Sequence, residues 1–537
     1  MSDPVAELRV AVEQAAAAVV DGPLKSRPTL ERPKQADHGD YSTNVAMLLA
    51  PAAGAPPREV AEKVGAQLRE GLGSALAAVE VAGPGFLNLR LADRWYTAAL
   101  RGVVDAGERF GAREPRTGEV ALVEFVSANP TGPLTAASAR HGAFGDAVAR
   151  LLENDGYTVE REFYINDAGA QVRNLGLSIQ ARARGEEPPE DGYQGDYVRE
   201  LAEQIPDAAS APVEELAAQG IALMLERIKT TLAEYRIAFD TWFSEQTLHP
   251  EKIEESLERV SEWTYRHDDA LWLRTTHWGD DKDRVLVRSD GVPTYLAADL
   301  AHHAWKVDRG YAVMVNVLGS DHHGYIARIK AAVSALGGDG EGYDVLILQF
   351  VHLVEGGARA GMSKRRGEFV TLEELIGQIG VDATRWYMLQ RSHDSQIDLD
   401  LDLAREQSAE NTVYYVQYAH ARIASVLAKA GEERVAAALA ASFDGATGLE
   451  PAERALVKKL LAFPSEAAEA AARRAPHRIA AYALELAQEF TAFYRDCRVV
   501  GAETPELESF RIALCVTTKS TIGRALDLLG VSAPESM

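Results

Sequence analysis

Glu124 sits in a place where a carboxylate must be explained. The run Ala-Leu-Val-Glu-Phe-Val-Ser, residues 121–127, is short, apolar and rich in β-branched residues, which predicts a buried parallel strand. A carboxylate buried there needs a cation or several hydrogen-bond donors. Asn129-Pro130-Thr131-Gly132-Pro133 then reads as a turn, since the prolines remove backbone donors and Gly132 allows positive φ. From Ala136 the period changes. Ala139, Ala143, Ala147 and Leu151 recur four residues apart, so a helix packs one face on a sheet and stops at Gly156, before a strand at Tyr-Thr-Val-Glu-Arg-Glu. Such a βαβ unit offers the N–H groups and dipole of its helix N-terminus to an anion, although the same pattern also describes a unit without any ligand.

A second set of candidate groups lies in residues 355–376. The glycines and alternating cations there predict a flexible loop in which Lys364, Arg365 and Arg366 could close over a polyphosphate. No Gly-Lys-Ser/Thr follows at P-loop spacing, and read alone the loop is more readily a solvated basic turn. Tyr295 and Asp299 are four apart in a predicted helix and share a face, where an acid is either a surface charge or the partner of a cationic substrate. His302-His303 and His322-His323 are adjacent pairs that do not face one ligand on a helix. With no His-Glu-x-x-His, a dedicated metal site is not expected, and no Gly-x-Ser-x-Gly elbow is present.

The elements that must position these groups follow from the whole chain. At 537 residues it is too long for one core. Residues 1–112 predict a small α/β domain, with helices at the start, near Ser42 and from Pro57, and two strands about a Gly-Pro-Gly turn. Phe86 and Asn88 fall on the second of these strands. Residues 113–402 alternate strands and helices, which predicts a Rossmann-type doubly wound parallel sheet. Within them Asp290-Gly291 signals a hairpin, the stretch from about 194 to Val260 is helical, and Val-Leu-Ile-Leu-Gln-Phe-Val-His-Leu-Val-Glu is one buried strand. Residues 403–537 are successive amphipathic helices, an all-α bundle.

A net charge of −24 argues against general adhesion to nucleic acid or anionic membrane, while leaving a local basic face possible. Two cysteines exclude a disulfide framework or Cys-based zinc site. No apolar run is long enough to span a bilayer, and the acidic start is unlike a signal peptide, so a cytoplasmic setting is expected.

Several motifs together resemble the bacterial arginyl-tRNA synthetases, class I enzymes: Val-Glu-Phe-Val-Ser-Ala-Asn-Pro-Thr-Gly-Pro-Leu, Tyr-Ile-Asn-Asp-Ala-Gly-Ala-Gln-Val, Thr-Tyr-Leu-Ala-Ala-Asp-Leu-Ala-His-His, Gly-Ser-Asp-His-His-Gly-Tyr, Met-Ser-Lys-Arg and Val-Tyr-Tyr-Val-Gln-Tyr-Ala-His-Ala-Arg-Ile. The resemblance runs along nearly the whole chain. It implies activation of arginine by ATP, used with Mg2+ and without a protein metal site, then transfer to tRNA(Arg). It also implies a pocket for the guanidinium fork built on Glu124 and Asp299, completed by Ser127, Asn129 and Tyr295, with His322 as a nucleotide or substrate contact. Pro133, Thr135, Ser138, Met362, Ser363 and Lys364 match the ATP site. Phe86 and Asn88 match contacts to a D-loop base, and Tyr414, Gln417, Tyr418 and Arg422 match the anticodon-binding bundle, though helix packing explains the tyrosines nearly as well. A monomer is expected.

Two departures qualify the resemblance. The His-x-Gly-His signature falls on Thr135-Ala136-Ala137-Ser138, which keeps hydroxyls and loses both imidazoles; His141 lies one turn beyond. The Lys-Met-Ser-Lys-Ser signature becomes Gly361-Met362-Ser363-Lys364-Arg365, which loses the first lysine and keeps the second, with Arg359 a candidate replacement. In the family the lost groups stabilise charge in the transition state, where one donor is worth about 3 kcal/mol. Three readings follow. The first is an active arginine–tRNA ligase in which Thr135, Ser138 and Lys364 suffice; the others are an inactive regulator that binds tRNA or arginine, and an arginine-adenylating ligase with another acceptor.

Overall fold

The computed structural model describes residues 4–20, 26–33, 35, 38–359 and 370–537. Its centre is a five-stranded sheet. Strands β1 (Tyr41–Thr43), β2 (Leu76–Ala82) and β3 (Phe86–Leu91) form a small antiparallel sheet before it, in the order β1-β3-β2. The central sheet takes β4 (Val120–Glu124), β5 (Thr158–Ile165), β6 (Thr241–Ser244), β10 (Val313–Gly319) and β11 (Tyr343–Leu348) in the order β11-β10-β4-β5-β6, every pair parallel. Between β6 and β10 the chain makes an antiparallel sheet of β7 (Thr264–His267), β8 (Ala270–Leu273) and β9 (Arg284–Val287); β12 (Val351–Glu355), β13 (Ala358–Arg359) and β14 (Ile397–Asp400) form a mixed sheet in the order β13-β12-β14.

The central order runs outward from β4 in both directions, so β4 and β10 flank the switch point of a doubly wound sheet. The crevice at the carboxyl ends of those two strands is where such sheets take ligands. Helix Ala136–Asn154 follows β4 and lies close against it. Its Gly145 allows that approach, because a Cβ there would come within 2.1 Å of the Phe125 ring.

Three segments differ from their expectation. The stretch expected to be helical up to Val260 contains β6, whose four residues Thr-Trp-Phe-Ser are too few to show a period, yet complete the sheet beside β5. The run expected as one strand ending at Glu355 breaks at Gln349–Phe350, so β11 stays in the central sheet while β12 pairs in parallel with β14. Arg140 holds that break, donating to the Gln349 carbonyl at 2.6 Å and the Ser392 carbonyl at 2.8 Å. Asp290-Gly291 does form a tight turn, but the chain beyond makes only an isolated bridge at Pro293 before helix Tyr295–Asp308 begins. The helix expected near Ser42 starts at Val45, after β1.

From Leu401 onward the chain is helical, as the loss of strand patterning predicts. The N-terminal sheet and its helices dock on this bundle through Asp40–Lys458 at 2.9 Å, Asp93–Arg454 at 2.6 Å and Arg101, which donates to the Leu439 carbonyl at 2.6 Å. No helix among the described residues is long and apolar enough to cross a membrane.

Candidate active site

Glu124 ends β4 at the switch point and is buried. Its Oε1 accepts from the Ser127 hydroxyl at 3.0 Å and its Oε2 from the Lys306 ammonium. Burial alone would raise its pKa. Lys306 outweighs that effect and holds the carboxyl below the usual range. Just past Glu124 the backbone turns in the left-handed region at two non-glycine residues, Val126 (φ 67°) and Ser127 (φ 40°). That conformation costs a β-branched residue energy, and it is held by the Ser127 side chain, which bonds Glu124 and accepts from the Tyr164 amide at 3.2 Å.

Helix Tyr295–Asp308 covers the crevice. Tyr295, at its first turn, is 81% exposed at the mouth, and Asp299 lies one turn deeper. The Asp299 carboxyl is pushed up to about 7 by burial, with the nearby Glu245 and Glu124 charges adding to the effect and a hydrogen bond from the Tyr325 hydroxyl opposing it. His322, exposed, has its ring 6.2 Å from that of Tyr325, so His322, Tyr325 and Asp299 form a chain along one wall. Asn129 reaches Gln171 instead of the carboxylates. The structure therefore gathers Glu124, Ser127, Tyr295, Asp299 and His322 about one crevice, with Asn129 at its edge.

The start of helix Ala136–Asn154 is less open than its sequence suggests. The Ala136 N–H donates to the Val370 carbonyl at 3.0 Å, the Ser138 N–H to the Thr135 carbonyl at 2.8 Å, and Thr135 bridges Thr371. Two of the first amides that an anion could use are thus spent internally, which leaves the half-buried Thr135 and Ser138 hydroxyls beside Pro133. Met362, Ser363, Lys364, Arg365 and Arg366 lie outside the described residues. Arg359 pairs with Asp398 at 2.9 Å on the surface.

Sequence reasoning missed Glu162 and Lys306. Ligand atoms of Glu124, Glu162 and His302 lie within 4.8 Å of one another, as a metal would need, but the Lys306 ammonium supplies positive charge there. Lys306 carried a signal: it lies seven residues past Asp299, on the same helical face.

Away from the crevice, Phe86 is 38% exposed on β3, while Asn88 is buried and its Oδ1 accepts from Ser42 at 2.9 Å. On helix Thr412–Ala430, the Tyr414 and Tyr418 rings stack at 6.0 Å and Arg422 lies 4.8 Å over Tyr418, a cation–aromatic ribbon facing solvent. Gln417 points inward. Its amide donates to Asp382 and to the Ser532 carbonyl, both at 2.9 Å.

A doubly wound sheet carrying carboxylates in its switch-point crevice and followed by a helical bundle is the architecture of an aminoacyl-tRNA synthetase. The methionyl-tRNA synthetase of Mycobacterium tuberculosis shares the fold at TM-score 0.54 and 15% identity, over 79% of this chain and 92% of that one. Residues 6–91 match the arginyl tRNA synthetase N terminal domain and residues 416–537 the DALR anticodon binding domain. The chain is 44% identical to proteins named arginine–tRNA ligase from Geobacillus kaustophilus and Bacillus subtilis, in each case over 95% of this chain and 94% of the relative. The arginyl-tRNA synthetase of Thermus thermophilus superposes at TM-score 0.77 with 25% identity, over 99% of this chain and all of that one. The chain belongs to the arginyl-tRNA synthetases, ligases that form aminoacyl-tRNA.

Proposed function

We propose that this protein activates L-arginine with ATP and transfers it to tRNA(Arg). The arginine carboxylate attacks the α-phosphorus, forming the acyl–phosphate bond of arginyl-adenylate as the bond to pyrophosphate breaks. The terminal adenosine hydroxyl of the tRNA then takes the arginyl group and AMP leaves. The observation that carries this reading is the crevice itself: Glu124 and Asp299, two carboxylates at the switch point, suit a planar five-donor cation. Ser127, Asn129, Tyr295 and His322 complete that pocket. Thr135 and Ser138 donate hydroxyl hydrogen bonds to the ATP phosphates beside Pro133, and Lys364, with Met362 and Ser363, supplies the cation that the missing histidines do not. Magnesium arrives with ATP and needs no protein cage.

Residues 1–112 contact the tRNA elbow through the exposed Phe86, while Asn88 is held by Ser42 beneath that surface. Residues 113–402 carry out the chemistry, and residues 403–537 read the anticodon stem-loop through Tyr414, Tyr418 and Arg422, with Gln417 bracing the helix that presents them. The protein works as a cytoplasmic monomer.

The test is charging of a tRNA(Arg) transcript with labelled arginine, ATP and magnesium, alongside Lys364→Ala and the Thr135→His/Ser138→His double variant. Charging by the wild type that disappears in Lys364→Ala is the expected result. A wild type that binds tRNA and arginine yet charges nothing would make it a regulator instead.

A further inference from the structure

Three neighbouring strands carry a row of buried polar side chains. Asn316 on β10 stands opposite Glu124 on β4, and Glu124 opposite Glu162 on β5, with exposures of 4, 5 and 0%. Helix Tyr295–Asp308 lies over this row with residues 295, 299, 302 and 306 on one face, descending from the solvent at Tyr295 to Lys306, which is 1% exposed. The Lys306 ammonium donates to Glu124 and stands 3.5 Å from Glu162 Oε1, while His302 Nε2 lies 2.8 Å from the same Glu162 oxygen. Burial and the Lys306 charge keep His302 neutral, so Lys306 is the permanent cation of this cluster.

The consequence concerns substrate. Both Glu124 oxygens are engaged, one by Ser127 and one by Lys306, so the plane of the carboxylate is set before arginine arrives. Lys306 also gives it a cation, shared at 3.5 Å with Glu162. Asp299 takes its hydrogen bond from the neutral Tyr325 hydroxyl. A guanidinium entering past Tyr295 therefore meets one aimed carboxylate that already has a cation and one, Asp299, whose hydrogen bond comes from a neutral hydroxyl.

We propose that Lys306 is a positioning and specificity-determining residue for arginine, a resident cation that fixes Glu124 and leaves Asp299 to be met by the charge of the substrate. This rests on the arginine pocket proposed above. Without Lys306, a buried and unpaired Glu124 takes up a proton and loses its orientation.

The experiment measures KM for arginine, ATP and tRNA(Arg) separately with the full-length protein. Lys306→Met is expected to raise the arginine KM about thirtyfold or more, leaving the ATP and tRNA values within about twofold. Net charge alone predicts the reverse, since deleting a positive charge beside the site should tighten binding of a cation. An arginine KM that is unchanged or lower overturns the proposal.

The double variant Lys306→Met/Glu162→Gln removes the excess buried charge and keeps Glu124. It is expected to unfold near the wild-type temperature while retaining the raised arginine KM. Recovery of that KM, or failure of the double variant to fold, would make Lys306 a support of the fold alone and overturn the proposal. Inhibition by citrulline, the uncharged isostere of arginine, adds a readout that a structural role would not move: the preference for arginine should fall about tenfold in both variants. A wild type that charges no tRNA(Arg) sinks the functional reading; a wild type that charges, with variants of wild-type KM, sinks only this inference.

Discussion

Arg385 donates to Asp146 in a fully buried ion pair that joins helix Leu372–Leu389 to helix Ala136–Asn154. The same guanidinium donates to the Leu529 carbonyl at 2.9 Å and the Tyr235 carbonyl at 3.0 Å, and Asp146 also takes Arg150 at 2.8 Å. The helix that begins beside the proposed nucleotide site is thereby tied to the end of the C-terminal bundle.

Breaking that tie should cost stability with a particular pH signature. Burial pushes the Asp146 carboxyl up, but Arg385 and Arg150 more than offset this and hold it below its ordinary value. Its contribution is therefore present above the unfolded carboxylate range and is lost as pH falls through the lower folded value. Asp146→Asn is expected to lower stability to urea by about 3 to 5 kcal/mol near neutral pH and to flatten the loss below about pH 4. A variant as stable as the wild type would show the pair to be idle.

Asp299, a carboxylate of the proposed arginine pocket, has the opposite shift, and this sets the pH dependence expected of binding. With its carboxyl raised to about 7 by burial and then by Glu245 and Glu124, it is protonated below that pH and cannot pair a guanidinium. The arginine KM should rise as pH falls through 7, while the ATP KM does not. Asp299→Asn should show a higher arginine KM that is flat between about pH 6 and 8. A pH dependence that survives the substitution would assign the titration to another group.

What could be read from the sequence, and what could not, follows from how each residue announces itself. The sheet was legible because its apolar strands alternate with helices of clear period. Strand β6 was not, since four residues carry no period. Asp299 was found through its spacing from Tyr295, and Glu124 through its apolar surroundings. Glu162 stayed hidden because Glu160-Arg161-Glu162 reads as a solvated run of charges, whereas Glu162 is wholly buried. Asn88 and Gln417 drew attention by motif, yet only packing reveals that Ser42 and Asp382 already occupy them.

Arg140 should behave as a structural pin. Burial lowers its pKa to about 10, and its two carbonyl bonds hold the break between β11 and β12. Arg140→Met takes the donor from two half-buried carbonyls, for a loss of about 1 to 3 kcal/mol. Hydrogen exchange in β12 should accelerate before exchange in β4 does; equal protection of β12 in variant and wild type would remove Arg140 from this role.

The Tyr414–Tyr418–Arg422 ribbon should matter for RNA alone. Tyr418→Ala is expected to weaken tRNA(Arg) binding by about 1 to 3 kcal/mol, the range for one stacked base, with the arginine and ATP KM values unchanged. Undiminished tRNA affinity in both Tyr418→Ala and Arg422→Ala would return the ribbon to simple helix packing.

The docking of the N-terminal domain on the helical bundle has a consequence for biosynthesis. Asp40 finds its partner Lys458 only 418 residues further along. As the chain leaves the ribosome, the first domain emerges with a surface whose mate has yet to be translated, and the catalytic sheet must be made in between. Helix Pro451–Leu460, made late in synthesis, then pairs with Asp40 and Asp93, so it completes the docking surface of the first domain to appear.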